Sequence, residues 1–360
     1  MRASRALATA ALISTGLAGC GPVGPLRASP SPGDVAAVTR EVSFSTGGTT
    51  TYGTLEVPGH RRGQHLAAAL LLAGSGATDR DGNQPPGLTP NTLRQLADAL
   101  TGMGIMSLRF DKYFAGRTGA GTYGRDPGSV DLDAFIRQAQ DAYQLLGRQP
   151  EADQQRLLVV GHSEGGMYAI LMTVTAAPHP AGLALVEPQD ERLLDLVALQ
   201  INETLDAQVS QGAVSVEAAR QNAQGVRQAI TQFRAGQPVD TAGLLPSVVR
   251  TLTPLILSPA NALYVRTDDA VDVPAEAAKL PAATRVLVTD GTADFNVPPS
   301  TIEPLLDALT GAGTTGPGLR ALSGLDHYLH QAGTPANGGT LDPAFLGALR
   351  EWAQPYATKP

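Results

Sequence analysis

Cysteine occurs once in these 360 residues, at position 20, so the chain can build no internal disulfide framework. Basic residues are in deficit, 26 Lys and Arg against 33 Asp and Glu, and they form no stripe. A chain of net charge -7 repels phosphate backbones and releases no counterions, which sets nucleic acid aside as a partner. No fixed-period repeat and no low-complexity tract claims the 40 glycines and 27 prolines, so these mark turns. No His, Cys and Glu cluster has metal-ligand spacing, and the reading calls for no metal and no cofactor. What is present is 42% hydrophobic and 16% charged residues, a composition able to bury a sizeable core.

The N-terminus carries a targeting signal. Arg2 and Arg5 precede "ALATAALISTGLAG", an apolar run too short to cross a bilayer as a mature helix, and Cys20 follows it. The segment "LAGC", Leu17 to Cys20, resembles a bacterial lipobox. That resemblance implies a signal peptide over 1–19, cleavage before Cys20, and acylation of its thiol and amine. Acyl chains contribute about 0.8 kcal/mol per buried CH₂, so several together anchor stably. Residues 20–38, rich in Pro, Gly and Ser over 21–34, read as a flexible tether. The expectation is a protein of the cell envelope, lipid-anchored on the extracytoplasmic side. The alternative is an ordinary signal peptide with an incidental Cys20.

Beyond the tether, residues 41–59 hold two alternating β-rich runs around Gly47-Gly48, a hairpin signal. Apolar strands then alternate with amphipathic helices. Strands are expected at 66–74, 105–111, 156–161, 182–188, 285–291 and 318–322. Helices are expected at 91–103, 130–146, 164–176, 300–311 and 342–353. Continuous apolar strands in such an alternation require a mostly parallel sheet covered by helices on both faces. From 189 to 280 the rhythm gives way to helical stripes, Leu194, Val197, Ile201 and Leu205 in one and Val226, Ile230 and Phe233 in another. This stretch reads as a helical cap insertion dividing a core of 39–188 and 281–360.

The run "RLLVVGHSEGGMYAI" places Gly161-His162-Ser163-Glu164-Gly165 between a strand and a helix. A turn that sharp forces its central residue into a strained conformation and brings the residues on either side nearly into contact, so only small side chains fit. The helix N-terminus then points partial positive charge at the serine hydroxyl. In this G-x-S-x-G setting the chain resembles the α/β-hydrolase superfamily, over essentially all of residues 39–360. A serine nucleophile needs a base and an acid arriving later in the chain. His60 and His65 precede the first core strand, His162 lies inside the turn, and His179 sits in a Pro-rich turn. His327, in "SGLDHYLH" beyond the last strand, is the expected base. His330 is the fallback, otherwise a helix-face or surface histidine. In "VLVTDGTADFNVP" the resemblance favours Asp294 as the acid, with Asp290 capping the turn through its backbone. The resemblance also implies that the backbone amides of Ser75 and Glu164 form the oxyanion hole. It further implies that Arg80, held by Asp79 or Asp81, shapes the rim, and that Asp111 and Lys112 pair near the floor.

Two motif matches fail on context. "DRDGN" lacks the glycine and glutamate of a calcium loop, having Gln84 and Pro90 instead. "GAGTYG", 119–124, opens no helix because Pro127 interrupts it. The expected function is a membrane-tethered serine hydrolase acting on carboxylic esters of small acyl substrates. A peptidase or thioesterase on the same machinery, and a binding lipoprotein that kept the fold without the chemistry, are the alternatives.

Overall fold

A computed structural model describes residues 33 to 358; the signal peptide, Cys20 and most of the tether lie outside the described residues. One eight-stranded sheet runs through it. Its strands, in chain order, are β1 (Val38–Thr46), β2 (Thr49–Val57), β3 (Leu66–Leu72), β4 (Met106–Phe110), β5 (Ala152–His162), β6 (Gly182–Val186), β7 (Arg285–Gly291) and β8 (Thr315–Leu322). Across the sheet they lie β1-β2-β4-β3-β5-β6-β7-β8. The β1/β2 hairpin turns at Gly47-Gly48 and joins β4 antiparallel; every other pairing is parallel. A two-residue pairing of Asp34–Val35 with His60–Arg61 stands apart.

The sequence of β3, LAAALLL, explains its central place: every residue is buried. Successive side chains alternate between faces. Ala68, Leu70 and Leu72 pack with α2 (Leu132–Gly147) and α3 (Glu164–Thr175), whereas Ala67, Ala69 and Leu71 pack under α1 (Thr92–Gly102) and α10 (Pro343–Ala353). Each fully buried leucine contributes about 1.5–3 kcal/mol relative to exposure. The helix stripe Leu93, Leu96 and Leu100 and the Phe345, Leu349 and Trp352 face close the second layer.

Between β6 and β7 the chain forms α4 (Leu193–Ser210), α5 (Val216–Arg234), α6 (Pro246–Leu252), α7 (Ala262–Asp269) and α8 (Val273–Ala277), followed after β7 by α9 (Glu303–Gly311). Helices α4 to α7 share a small core of their own. Leu194, Val197, Ile201 and Leu205 pack there with Val226, Ile230 and Phe233. A buried carboxylate fastens it. Asp269 accepts hydrogen bonds from Arg234 Nε at 2.8 Å and from the Leu194 amide at 3.0 Å. Arg192 reaches it at 3.4 Å. Among the described residues no helix is long and apolar enough to cross a membrane.

Candidate active site

Strand β5 ends at His162 and α3 begins at Glu164, leaving Ser163 alone in the turn with φ 58° and ψ -127°. The two glycines follow from this geometry. A Cβ on Gly161 would overlap the Gly165 backbone, and one on Gly165 would overlap the Leu72 carbonyl. The Ser163 amide donates to Val186 O at 2.9 Å, tying the turn to β6. Its carbonyl accepts from the amides of Gly166 at 2.8 Å and Gln189 at 3.0 Å.

His327 and Asp294 are brought together from loops that follow β8 and β7. His327 Nδ1 donates to Asp294 Oδ2 at 2.7 Å. The other carboxylate oxygen of Asp294 accepts from the amides of Asn296 at 2.6 Å and Val297 at 3.0 Å. Three donors therefore fix this carboxylate, and with Nδ1 committed, Nε2 is the imidazole's accepting face. The His327 ring lies against that of His162, centroids 4.9 Å apart, which sets it beside the serine turn. The Ser163 hydroxyl itself has no hydrogen-bond partner among the described residues, His327 included. In acyl-transfer sites the serine–imidazole bond commonly tightens only as substrate binds.

His162 has a role that its sequence position concealed. Its Nε2 donates to the His327 carbonyl at 2.7 Å, holding the histidine loop against the turn. Burial, with His327 adding to it, pushes its pKa down to about 3, so the ring stays neutral. His330 departs from expectation: it is neither on a helix nor at the surface but buried, with both ring nitrogens unpartnered. Asp290 is the penultimate residue of β7, buried, and burial together with Asp294 pushes its pKa up to about 7. Glu187, absent from the sequence reading, accepts from Thr289 Oγ1 at 3.1 Å and the Gly291 amide at 2.6 Å. Burial, then Asp294, raises it well above the carboxylate range.

Ser75 follows β3 and Glu164 opens α3, and both line the cavity that reaches Ser163. Neither amide donates to a loop or turn partner among the described residues. Lys112 and Asp111 do not pair with each other. Lys112 Nζ lies 3.1 Å from Glu164 Oε2, whereas Asp111 takes Arg80 in a two-point bond at 3.0 and 2.8 Å. This corrects the expected partners of Arg80, which are Asp111 and Glu41 rather than Asp79 or Asp81. Asp79 instead accepts the amides of Asp81 and Asn83 in its own turn, and Asp81 pairs with Arg109. Arg80 borders a separate polar groove, where its Nη1 donates to Glu41 of β1 and Thr54 of β2.

The cavity over Ser163 measures about 600 Å³. Val130, Phe135, Leu193, Leu196 and Val197 give it an apolar wall, and Glu164, Gln189 and Tyr264 a polar end. The expected apolar stripe of the cap contributes little to it: Leu194, Ile201 and Leu205 turn into the cap's own core. At the polar end, Glu164 accepts from the hydroxyls of Tyr168, at 2.8 Å, and Tyr264. Asp268 accepts from Gln189 at 3.0 Å. Burial, then Glu164, raises Asp268 well above the carboxylate range. Cap and core are joined by Tyr264 to Glu164, by Gln200 Nε2 to the Asn296 carbonyl at 2.6 Å and by the Leu132 amide to Thr267 Oγ1 at 2.9 Å, among others.

Solved structures share this architecture over most of the chain. Est1E from Butyrivibrio proteoclasticus, solved with ferulic acid bound, matches with a TM-score of 0.54 and 13% identity, over 88% of this chain and 98% of its own. An esterase from Pyrococcus furiosus gives 0.55 and 12%, over 89% and 92%. A proline iminopeptidase from Mycobacterium smegmatis gives 0.53 and 16%, over 88% and 98%. No family model matches the sequence, and neither does any curated protein. The chain has the α/β-hydrolase fold: a mostly parallel sheet flanked by helices, with a helical cap inserted after β6.

Proposed function

We propose that this protein is a serine hydrolase that cleaves carboxylic esters. The observation that carries the reading is a strained serine at a strand-to-helix turn with a histidine–carboxylate pair beside it. In this mechanism Ser163 attacks the acyl carbonyl while His327 Nε2 takes the hydroxyl proton. Asp294 holds the ring in the tautomer that makes Nε2 the acceptor, and stabilises the imidazolium. The amides of Ser75 and Glu164 receive the oxyanion, each such donor being worth roughly 3–4 kcal/mol in the transition state. His327 then protonates the leaving alkoxide, and water releases the acyl group from Ser163 by the reverse sequence.

An ester with an apolar acyl group fits the wall formed by Val130, Phe135 and Leu196. The esterases among the structural neighbours favour the same choice, and the proline iminopeptidase keeps a peptidase as the second reading. A panel of 4-nitrophenyl esters of increasing acyl length tests it. Turnover well above a Ser163→Ala control is expected, and no ester turned over faster than by that control would contradict it. The tether is part of the proposal and rests on "LAGC". Intact protein should partition into detergent, and Cys20→Ala protein should not; equal partitioning of the two would refute the anchor.

A further inference from the structure

A planar trans peptide joins Gly74 to Ser75, so the Gly74 carbonyl and the Ser75 N–H project in opposite directions from one rigid plate. Whatever grips the oxygen aims the N–H. The grip is Lys112, whose Nζ lies 2.5 Å from Gly74 O and 3.1 Å from Glu164 Oε2. Its side chain is 4% exposed and lies against the rings of Phe135 and Tyr168, each centroid 5.5 Å from Nζ. Glu164 carries the second proposed oxyanion donor on its own backbone nitrogen. One ammonium therefore joins the two segments, distant in sequence, that must present their amides to one oxygen. Tyr168 and Tyr264 hold the Glu164 carboxylate from its other sides, so the anchor of the clamp is itself fixed.

We propose that Lys112 is a positioning residue that sets the oxyanion hole, an inference that rests on the serine-hydrolase reading above. It acts in two ways. It orients the Gly74–Ser75 peptide relative to the first turn of α3. A cation on the carbonyl oxygen also draws electron density from the same peptide, making the Ser75 N–H a stronger donor, an effect enlarged in a buried, low-dielectric setting. Both effects grow as negative charge develops on the substrate oxygen, so they act on the transition state more than on bound substrate.

The test uses purified full-length protein and Lys112→Met, which keeps the apolar stem and removes the donor. With a 4-nitrophenyl ester, kcat should fall about 10²-fold while KM stays within about threefold of wild type. Affinity for a boronic acid, which forms a tetrahedral anion on Ser163, should fall in parallel. Affinity for the matching ether, which fills the cavity without forming an anion, should not. Because Lys112→Met leaves Glu164 buried without its cation, the double variant Lys112→Met/Glu164→Gln is measured beside it. It should regain melting temperature without regaining kcat. A folded Lys112 variant with unchanged kcat and boronate affinity overturns the clamp, as does a double variant in which kcat returns together with stability. Fluorophosphonate labelling separates the two levels. Wild type labelled at Ser163, with fully active Lys112→Met, sinks the clamp alone, whereas unlabelled wild type sinks the hydrolase reading with it.

Discussion

Ser163 occupies a backbone region that costs of order 1–3 kcal/mol for a residue with a Cβ. The elbow's neighbours hold it there: the Val186 carbonyl takes its amide, and Gly161 and Gly165 let the two chain segments touch. Removing the Cβ should release that strain. Ser163→Gly is expected to abolish ester turnover yet raise stability by about 1 kcal/mol, the relieved strain exceeding glycine's entropy cost. Thermal melting checks it, and a variant less stable than wild type would contradict it. This part of the site was legible in sequence because a five-residue spacing encodes its own steric requirement. Chain order narrowed the base to His327 or His330 and the acid to Asp290 or Asp294; the resemblance favoured His327 and Asp294, which the fold brings into hydrogen-bond contact. The role of His162 was not legible, since its bond to the His327 carbonyl spans 165 residues and depends on how two loops meet. Neither were the partners of Arg80, where the resemblance implied Asp79 or Asp81 and the fold supplied Asp111.

At the scale of elements, strand–helix alternation fixed the core because each parallel strand must be apolar on both faces, as in β3. The cap was harder to read. Its two long helices declared themselves by their stripes, but α6, α7 and α8 have eight residues or fewer, too short for a periodic pattern to stand out. The Lys112, Glu164, Tyr264 and Asp268 constellation escaped for a related reason: it draws on the β4 loop, α3 and α7, and no local spacing joins them. The junction between core and cap carries a titration. Asp190, on the segment leading from β6 into the cap, is 1% exposed and accepts from Thr301 Oγ1 at 2.8 Å. Burial pushes its pKa up from 3.8 to about 7. Between those values the folded protein holds a proton that the unfolded chain has lost, so stability falls as pH rises from about 4 to about 7. Asp190→Asn removes this contribution. The variant should match wild type near pH 3.5 and exceed it by roughly 2–4 kcal/mol at pH 8, as read by denaturant unfolding at both values. Identical pH slopes for the two proteins would contradict the assignment. Asp290, pushed up to about 7 as well, leaves a residual slope in the variant.

Across the whole molecule, the sheet brings three distant chain ends to one edge: the serine turn after β5, the Asp294 loop after β7 and the His327 loop after β8. The cap closes over them and bonds to the Glu164 side chain and the Asn296 carbonyl, so the cavity has walls from both units. Four buried carboxylates, Glu187, Asp190, Asp268 and Asp290, line the sheet edge and the cap junction with raised pKa values, burial being the first cause of each. The most direct measurement is fluorophosphonate labelling of the full-length chain, with the modified peptide mapped by mass spectrometry. A single adduct on Ser163 is expected, absent from Ser163→Ala and formed at least about 10²-fold more slowly in His327→Ala. An adduct elsewhere, or esters turned over by a protein that Ser163→Ala leaves fully active, would contradict it.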